Sequence, residues 1–402
     1  MLIKLGLRNL KHNLLMNILT ILQMSVAFVI FICMISTIVS RFTYYTPIKK
    51  LLNSNGYYYN ITYGVDPDTN MTIRSSEELS EMIQGESQVI AEYSAWLTYR
   101  NNKGEGMDGE FISYDDYYIE ILSPELYSGT WIDLNRPVQN TVQVVVSQNN
   151  YGIETGDVIS LYCMDVEVKA EVVGVLLDDT KIFNPTKQLH ENLDYRDIYT
   201  NYKTEREEKP VFILSQRDLL DKMVIMQADG NLFITYPENT SKELLEENDR
   251  KIRRLHPLFN SSTEEMRQRS LDYIFSQIYN LMPIFICVLI LTLVGAISTS
   301  ALSAKRQLRN YAVYYICGMK WKQCSWVNLF SSVICVVISF VLSIAVTMIA
   351  KSTGLLGNTV IELGLWQFLG CAIITLIYIL LSMILPISII GKNTPNQILK
   401  SN

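Results

Sequence analysis

The sequence predicts a membrane protein with four transmembrane α-helices, one before and three after a large mixed α/β domain on the extracytoplasmic side. Two observations lead to this fold class. Four long stretches contain no charged residue, and nearly all acidic residues lie between the first two of them. The uncharged stretches are residues 12–40, 273–304, 323–350 and 363–391. Each is longer than the roughly 20 apolar residues that a helix needs to cross a bilayer.

Charge divides the chain into an acidic part and a cationic part. Residues 41–270 hold 23 Lys and Arg against 38 Asp and Glu, a balance of −15, and the other residues hold 11 against 2, a balance of +9. This difference is typical of an acidic domain in water joined to a cationic part in lipid. We therefore predict an N-terminal amphipathic segment with the first transmembrane helix (1–43), an extracytoplasmic α/β domain (44–262), and a stalk followed by three transmembrane helices (263–402).

The first uncharged stretch begins like a signal peptide, because Lys4, Arg8 and Lys11 precede it. The apolar core of a signal peptide has about 7–15 residues and is followed by a small-residue cleavage site. This stretch is far longer and ends in STIVSRF, so we interpret it as an uncleaved membrane helix. The three cations flank an apolar stripe, which favours either a helix on the inner membrane surface or a simple cationic anchor.

Cations in the short loops predict the orientation. Residues 305–322 hold five Lys and Arg and no acid, whereas the next loop holds only Lys351 and Glu362 as charged residues. Short loops rich in Lys and Arg stay in the cytoplasm. Both termini and residues 305–322 are therefore predicted to be cytoplasmic, and residues 41–270 to lie outside.

The acidic block combines predicted strands with intervening helical segments, notably SSEELSEMIQ from Ser75. Alternating or β-branched runs predict strands at residues 57–63, 142–147, 158–163 and 166–178. Residues 184–209 show little periodicity and are predicted to form a loop or a small excursion.

Two helices are predicted at the end of the acidic block. Thr240 to Glu243 has the pattern of a capping box, and Ser262 to Glu265 has it again. Nothing interrupts the second helix before Pro283, which already lies in an uncharged stretch. The second helix is therefore predicted to be a stalk that enters the membrane as one rod, with a kink at Pro283.

The sequence carries no enzyme signature: G-x-S-x-G, H-E-x-x-H and Walker A patterns are all missing. Cys163 is the one cysteine of the acidic block, which excludes a disulfide inside it, and His12, His190 and His256 are too scattered for a zinc site. We therefore predict no catalytic, cofactor-binding or metal-binding residue, and a protein that is not an enzyme. The uncharged stretches also lack the ionisable groups that mark ion pathways, so energy is expected to enter from elsewhere.

Residues 305–322 are the candidate site. On a helix, five residues form an apolar stripe beside Arg306 and Arg309, and Gly318 stands where a left-handed helix cap is common. Lys320 follows this glycine. Two interpretations stay open: an interfacial helix on anionic lipid, or a docking helix for a cytoplasmic partner. The stripe consists of Leu308, Tyr311, Ala312, Tyr315 and Met319.

These residues carry a family resemblance. The segment RNYAVYYICGMKWKQ (309–323) resembles the loop after the second transmembrane helix in FtsX-like permeases of the MacB type, with Gly318 at the family's glycine and Lys320 among its trailing cations. Asn310 stands where the family usually has Glu, and Ala312 where it has Gly.

Three other segments agree with this resemblance and follow the family's order. GIETGDVIS (152–160) with VVGVL (172–176) resembles a passage of the family's MacB-like periplasmic core domain. Pro386 with TPNQILK (394–400) is similar to its C-terminal ending, and residues 5–23 are similar to its opening helix.

The resemblance implies the permease subunit of a bacterial ABC transporter in the plasma membrane. A separate cytoplasmic ATPase would bind ATP and Mg²⁺, and its movement would pass through the stalk to the outer domain by mechanotransmission. The complex would export, expel or confer resistance to a peptide, lipid or drug. The alternative is a membrane-tethered regulator or sensor of an envelope enzyme or antimicrobial peptide, without vectorial transport. The outer domain would have a smaller inserted lobe, and an extracytoplasmic protein or amphipathic peptide would be a further partner. No nucleic acid is expected.

A second copy of the chain, or a paralogue, is the other expected partner. Small residues recur every four positions in the second uncharged stretch, and this spacing lets helices approach closely in lipid. Packing within one subunit explains the same pattern and stays open. The candidate dimer interface consists of Thr292, Gly295, Ala296, Thr299, Ser300 and Ser303.

Overall fold

The computed structural model describes residues 14–59, 62–65, 83–100, 104–137, 140–178, 180–184, 192–201, 209–229, 232–255, 260–353 and 364–392. The chain forms two compact units. A membrane unit combines Met1–Phe42 with Ile274–Asn402, and an outer unit comprises Thr43–Tyr273. The outer unit therefore includes the first residues of the predicted stalk. The helix predicted from Ser75 lies outside the described residues.

The described helices are α1 (Leu14–Tyr45), α2 (Lys49–Leu52), α3 (Asp116–Ile121), α4 (Tyr195–Ile198), α5 (Gln216–Asp221), α6 (Lys242–Leu255), α7 (Thr263–Ile316), α8 (Trp321–Ser352) and α9 (Leu365–Lys392). The described strands are β1 (Asn55–Tyr59), β2 (Thr62–Val65), β3 (Gln88–Ala95), β4 (Thr98–Arg100), β5 (Gly106–Met107), β6 (Glu110–Tyr114), β7 (Leu126–Gly129), β8 (Thr141–Ser147), β9 (Val158–Cys163), β10 (Val166–Leu176), β11 (Lys181–Phe183), β12 (Tyr199–Asn201), β13 (Val211–Ser215), β14 (Met226–Asp229), β15 (Leu232–Tyr236) and β16 (Asn260–Ser262).

Apolar helices make up the membrane unit. Among the described residues, three helices are long and apolar enough to cross a bilayer, with their spans in α1, in α7 and at Leu329–Ser352 of α8. The apolar segment described in α9, Leu365–Leu381, is shorter. The total of four spans and their orientation stay predictions.

Helix α1 packs against other helices of the membrane unit. Met24, Phe28 and Ile32, spaced by four residues, share one apolar cluster with Val336 of α8 and Tyr378 of α9. Because the spacing places these side chains on one helical stripe, this face of α1 is covered by two helices at once.

Two serines fix the register of α1 against α8. The Ser25 hydroxyl donates to the Ile21 carbonyl of its own helix at 2.7 Å and shares its hydrogen with the Ser339 carbonyl at 3.2 Å. The Ser339 hydroxyl donates to the Cys335 carbonyl at 2.7 Å and shares its hydrogen with the Ile21 carbonyl at 3.1 Å. Hydroxyl groups of this kind bond across helices in apolar surroundings. The two bonds set how far one helix can slide along the other.

The outer unit is built on one mixed sheet, in which the described residues form 14 strands. Its main path runs β16-β1-β15-β3-β6-β13-β8-β10-β9-β4-β5. The pairs β6/β13 and β8/β10 are parallel, and the other pairs of this path are antiparallel. Strand β8 is buried along nearly its whole length, which suits its four valines and its position in the middle of the sheet.

The structure confirms the strands predicted at residues 142–147 and 158–163, and β10 covers most of 166–178. The prediction of a loop over residues 184–209 is wrong where this segment is described at 195–201. There α4 and β12 form, and β12 pairs with β11 in a separate two-stranded sheet. Short elements of this length are held by contacts with distant residues, which periodicity does not register.

The two predicted helix caps have different outcomes. The Ser262 hydroxyl accepts the Glu265 amide at 3.2 Å at the start of α7, so the predicted N-cap is confirmed. For α6, the Ser241 hydroxyl accepts the Leu244 amide at 3.3 Å. The cap is therefore Ser241, one residue after the predicted Thr240, because the helix starts at Lys242.

Candidate functional site

The predicted site forms the end of α7 and the turn that leads to α8. Residues 305–316 continue α7 without interruption, and only Cys317 to Lys320 separate it from α8. Helix α7 is 54 residues long and contains Pro283 in its interior. Because proline has no amide hydrogen, the carbonyl four residues earlier loses its usual partner there. The predicted kink at this position stays a prediction.

Gly318 ends α7 in a left-handed conformation, with φ +95°. The Met319 amide donates to the Tyr314 carbonyl at 3.0 Å, and the Gly318 amide donates to the Tyr315 carbonyl at 3.0 Å. These two bonds define a Schellman motif, in which the residue after the cap packs back on the helix. The left-handed cap predicted at Gly318 is therefore present, and it gives the turn a defined geometry.

The predicted apolar stripe faces the chain's own interior. Tyr311 is 0% exposed and Met319 is 9% exposed, and both pack with Val327 of α8. Leu308 packs against the same cluster, and Ala312 is fully buried as well. Of the five stripe residues, only Tyr315 is substantially exposed, at 46%.

This burial corrects the prediction of a docking face. Tyr311, Ala312 and Met319 form part of the hairpin's own core, so they are not available to a groove on another protein. A charge introduced at Met319 would disturb folding of the turn before it tested any docking.

The opposite face of this last part of α7 is exposed. Residues 306, 309, 310, 313 and 316 follow the spacing of one helical face, and all five are exposed. Cations lie at its start and apolar groups at its end, where Ile316 is 66% exposed. We call this surface the distal face; it consists of Arg306, Arg309, Asn310, Val313 and Ile316, with Lys305, Tyr315 and Lys320 exposed beside it.

The sequence already contains a pattern that could have predicted the distal face. Val313 and Ile316 are three residues apart and lie opposite Tyr311 and Met319 on the helix, so they form a second, shorter apolar stripe. Periodicity marks both stripes equally, and only packing against α8 decides which one is covered.

The small-residue stripe of α7 packs, at Gly295, against the chain's own first helix. A Cβ on Gly295 would overlap the amide of Gln23 in α1, whose Nε2 donates to the Leu291 carbonyl at 3.2 Å. Thr292 and Ser300 are buried in the same unit. At Gly295 the structure thus shows the alternative interpretation, packing within one subunit; the side chain of Ala296 is not described.

Thr299, Ser300 and Ser303 line a polar cavity in the membrane unit. Side chains from all four described long helices contribute to it, including Asn17 of α1 and Tyr378 of α9. Its volume is about 20 Å³, which holds about one water molecule.

At its other end, α7 is fixed to the sheet. The Thr263 hydroxyl donates to the Ser54 carbonyl at 2.6 Å and approaches the Gly56 carbonyl at 3.2 Å. The preceding strand β16 pairs with β1. Because Thr263 is buried, the first turn of α7 is held by a hydrogen bond that is shielded from water.

One outer carboxyl group has a strongly shifted pKa. Burial raises the pKa of Asp115 to about 7, although the Tyr118 and Ala91 amides, which donate to it, oppose the shift. This side chain caps α3, so the shift belongs to a structural role. In the described part of the chain, no group of three or more His, Cys, Asp or Glu is placed to hold a metal ion.

Comparisons with solved structures match an extracellular domain and a periplasmic region of other proteins. The extracellular domain of YknZ, a noncanonic ABC-type transporter from Gram-positive bacteria, matches with 14% identity, 52% of this chain, 99% of that chain and a TM-score of 0.27. The periplasmic region of MacB from Actinobacillus actinomycetemcomitans matches with 12% identity, 55% of this chain, 94% of that chain and a TM-score of 0.29. No protein-family profile and no curated protein matches the chain.

Proposed function

We propose that the chain is the permease subunit of a bacterial ABC transporter of the MacB and FtsX-like type, working by mechanotransmission with a separate cytoplasmic ATPase. The observation that carries the proposal is α7. It starts on the outer sheet at Thr263 and ends at the distal face. At 1.5 Å per residue its path is about 80 Å long, enough to link a domain outside the membrane with a partner inside the cell.

The distal face supports an ATPase as the partner on the cytoplasmic side. It offers exposed arginines beside Val313, Tyr315 and Ile316, a combination that fits an apolar groove with an acidic rim. A lipid surface would accept the same cations, but the exposed apolar groups lie at the end of the helix, next to the turn. Such a tip is suited to insertion in a protein groove.

The membrane unit supports force transmission over passage of a substrate through the chain. The four uncharged stretches contain no Asp, Glu, Lys or Arg that would couple transport to an ion gradient. Work on a substrate would therefore occur at the outer domain, powered by ATP hydrolysis in the partner.

Co-purification of the ATPase from native membranes is the direct test. The double variant Val313→Asp with Ile316→Asp places two charges on the distal face, and we expect it to lose the ATPase while the permease still folds. Tyr127→Asp is the matched control, because Tyr127 is 67% exposed in the outer unit, close to the 66% of Ile316. It should keep the ATPase. Full retention of the ATPase by the double variant would contradict the proposed docking surface.

Transport in sealed vesicles separates the two functional alternatives. Vectorial movement of an amphipathic peptide or lipid coupled to ATP hydrolysis supports an exporter. ATP hydrolysis that responds to an outer ligand, with no vectorial flux, would instead support the regulator or sensor. A second permease copy or paralogue stays part of the proposal, and cross-linking in native membranes tests it.

A further inference from the structure

The polar cavity of the membrane unit lies where α1, α7, α8 and α9 come together. Its volume is about 20 Å³, and each of these helices contributes side chains to its walls. A water molecule needs a polar site with at least about 10–15 Å³ of such volume. The cavity is therefore large enough for one water molecule.

Two buried hydroxyl groups on different helices line this cavity. Ser331 of α8 is 5% exposed, and Tyr378 of α9 is 3% exposed. Neither side-chain hydroxyl has a hydrogen-bond partner among the described residues. Burying a hydroxyl group in apolar surroundings without a partner is costly. In proteins, ordered water molecules commonly satisfy such groups, with about three hydrogen bonds each.

The walls formed by α1 and α7 are polar as well. The Thr20 hydroxyl donates to the Met16 carbonyl at 2.9 Å, and the Thr299 hydroxyl donates to the Gly295 carbonyl at 2.7 Å. A hydroxyl oxygen that donates its hydrogen keeps lone pairs, so both can still accept a bond from water. The polar residues that these two helices contribute are Asn17, Thr20, Thr299, Ser300 and Ser303.

The cavity lies close to the charged end of α7. Ser303 is two residues before Lys305, where the second uncharged stretch ends. Ser300 is five residues before Lys305, which is about 7.5 Å along the helix. A water molecule at this depth is within a short distance of charged, hydrated side chains.

We propose that the cavity binds one ordered water molecule, which bridges the hydroxyl groups of Ser331 and Tyr378 and bonds to a polar group of α1 or α7. The water molecule supplies the hydrogen bonds that the two hydroxyl groups do not make with the described residues. The small side chains of Thr299, Ser300 and Ser303 then have a role inside one subunit, because they leave room for it. The site goes beyond the proposed function, since it needs neither the ATPase nor a substrate.

Radiolytic footprinting of the full chain in lipid nanodiscs tests the site. A short X-ray pulse splits water into hydroxyl radicals, which oxidise side chains next to each water molecule before they diffuse far. Buried side chains of the membrane unit without water beside them should therefore be oxidised slowly. Mass spectrometry of the digested chain measures the oxidation rate of each side chain.

The unchanged chain contains two matched pairs of side chains for this measurement. Cys335 lines the cavity and is 2% exposed, whereas Cys371 is 1% exposed and is not part of its walls. Tyr378 lines the cavity, whereas Tyr311 is 0% exposed and is not part of its walls. Because burial is similar within each pair, we expect the side chain that lines the cavity to be oxidised several times faster.

Two variants change the site itself. Ser331→Val replaces a hydroxyl group by methyl groups that fill part of the cavity, so oxidation of Cys335 should fall towards the rate of Cys371. Tyr378→Phe keeps the ring but removes the other hydroxyl group, so oxidation of Cys335 should fall as well. Tyr311→Phe is the matched control, because it removes a hydroxyl group from a buried ring outside the cavity. It should leave the oxidation of Cys335 unchanged.

Two outcomes would overturn the water site. Equal oxidation within both matched pairs of the unchanged chain would show that no water molecule occupies the cavity, and this comparison does not depend on how a variant folds. Unchanged oxidation of Cys335 in both Ser331→Val and Tyr378→Phe would show that the two hydroxyl groups do not hold the water molecule. Neither measurement involves the ATPase, so failure of the water site and failure of the proposed function are separate observations.

Discussion

The two ends of α7 are fixed by different interactions. At the outer end, the Thr263 hydroxyl donates to the Ser54 carbonyl beside β1, and about two turns later the Tyr195 amide donates to the buried Ser270 hydroxyl. At the inner end, Tyr311 and Met319 pack against α8 while the distal face stays exposed. The described contacts thus hold the outer end in the core of the outer unit and leave one face of the inner end exposed.

The largest expected effect compares two tyrosines four residues apart. Tyr311→Ala removes a ring that is 0% exposed and should cost about 4 kcal/mol of stability, because a large cavity remains. Tyr315→Ala removes a ring that is 46% exposed and should cost less than about 0.5 kcal/mol. Thermal unfolding of the full chain in detergent measures both. Equal losses would show that the two faces of the inner end are not distinct.

At the outer end, Gly56→Ala should cost about 3 kcal/mol, since the added methyl would overlap the backbone carbonyl of Ile234 in β15. The Thr263 hydroxyl contacts the Ser54 and Gly56 carbonyls. A shift of β1 should therefore also weaken the hydrogen bond at the start of α7. Gly106→Ala is the matched control, because its methyl would meet only a Thr98 methyl at 3.7 Å. Thermal unfolding and amide hydrogen exchange at Thr263 measure the effect. A Gly56→Ala variant as stable as the unchanged protein would contradict the close contact between β1 and β15.

The free energy of unfolding of the outer unit should depend on pH through Asp115. Its folded pKa of about 7 lies above the ordinary aspartate pKa of 3.8, so the folded state binds the proton more tightly. This contribution is fully present below the unfolded pKa and is lost as the pH rises through the folded pKa. Between pH 5 and pH 7 the outer unit should lose roughly 2 kcal/mol from this group. In Asp115→Asn the free energy of unfolding should change less between pH 5 and pH 7. If the change with pH stays the same, groups other than Asp115 cause it.

The smallest expected effect is at the turn. Gly318→Ala places a Cβ at φ +95°, with no heavy atom within 4 Å of it. Only backbone strain is added, so the cost should be about 1 kcal/mol. Gly318→Asn should cost less, since asparagine tolerates this conformation. Thermal unfolding and co-purification of the ATPase check both variants, and equal costs would argue against a left-handed cap.

The sequence predicted the parts of the fold that depend on local composition. Charge-free runs located α1, the apolar part of α7 and α8, and β-branched runs located β8 and β9. The N-cap at Ser262 could also be predicted, because the capping pattern involves only four consecutive residues.

The rest depends on residues far apart in the chain. The fit of Gly295 against Gln23 joins positions separated by more than 250 residues, and α4 is held where Tyr195 meets Ser270. The error at the candidate site has the same origin. Tyr311 and Ile316 both lie on apolar stripes, and only α8 decides which of them is covered. Periodicity finds the faces of a helix, and tertiary packing selects between them.

The bond between Ser25 and Ser339 joins residues 314 positions apart, which sets a condition on biogenesis. At about 5–20 residues per second of synthesis, the first helix waits roughly 15 to 60 s in the bilayer before α8 exists. During that time the Ser25 hydroxyl can bond only within α1, to the Ile21 carbonyl. Gln23 gains its partner Leu291 when α7 is made, but the packing of α1 against α8 must wait until α8 has been synthesised.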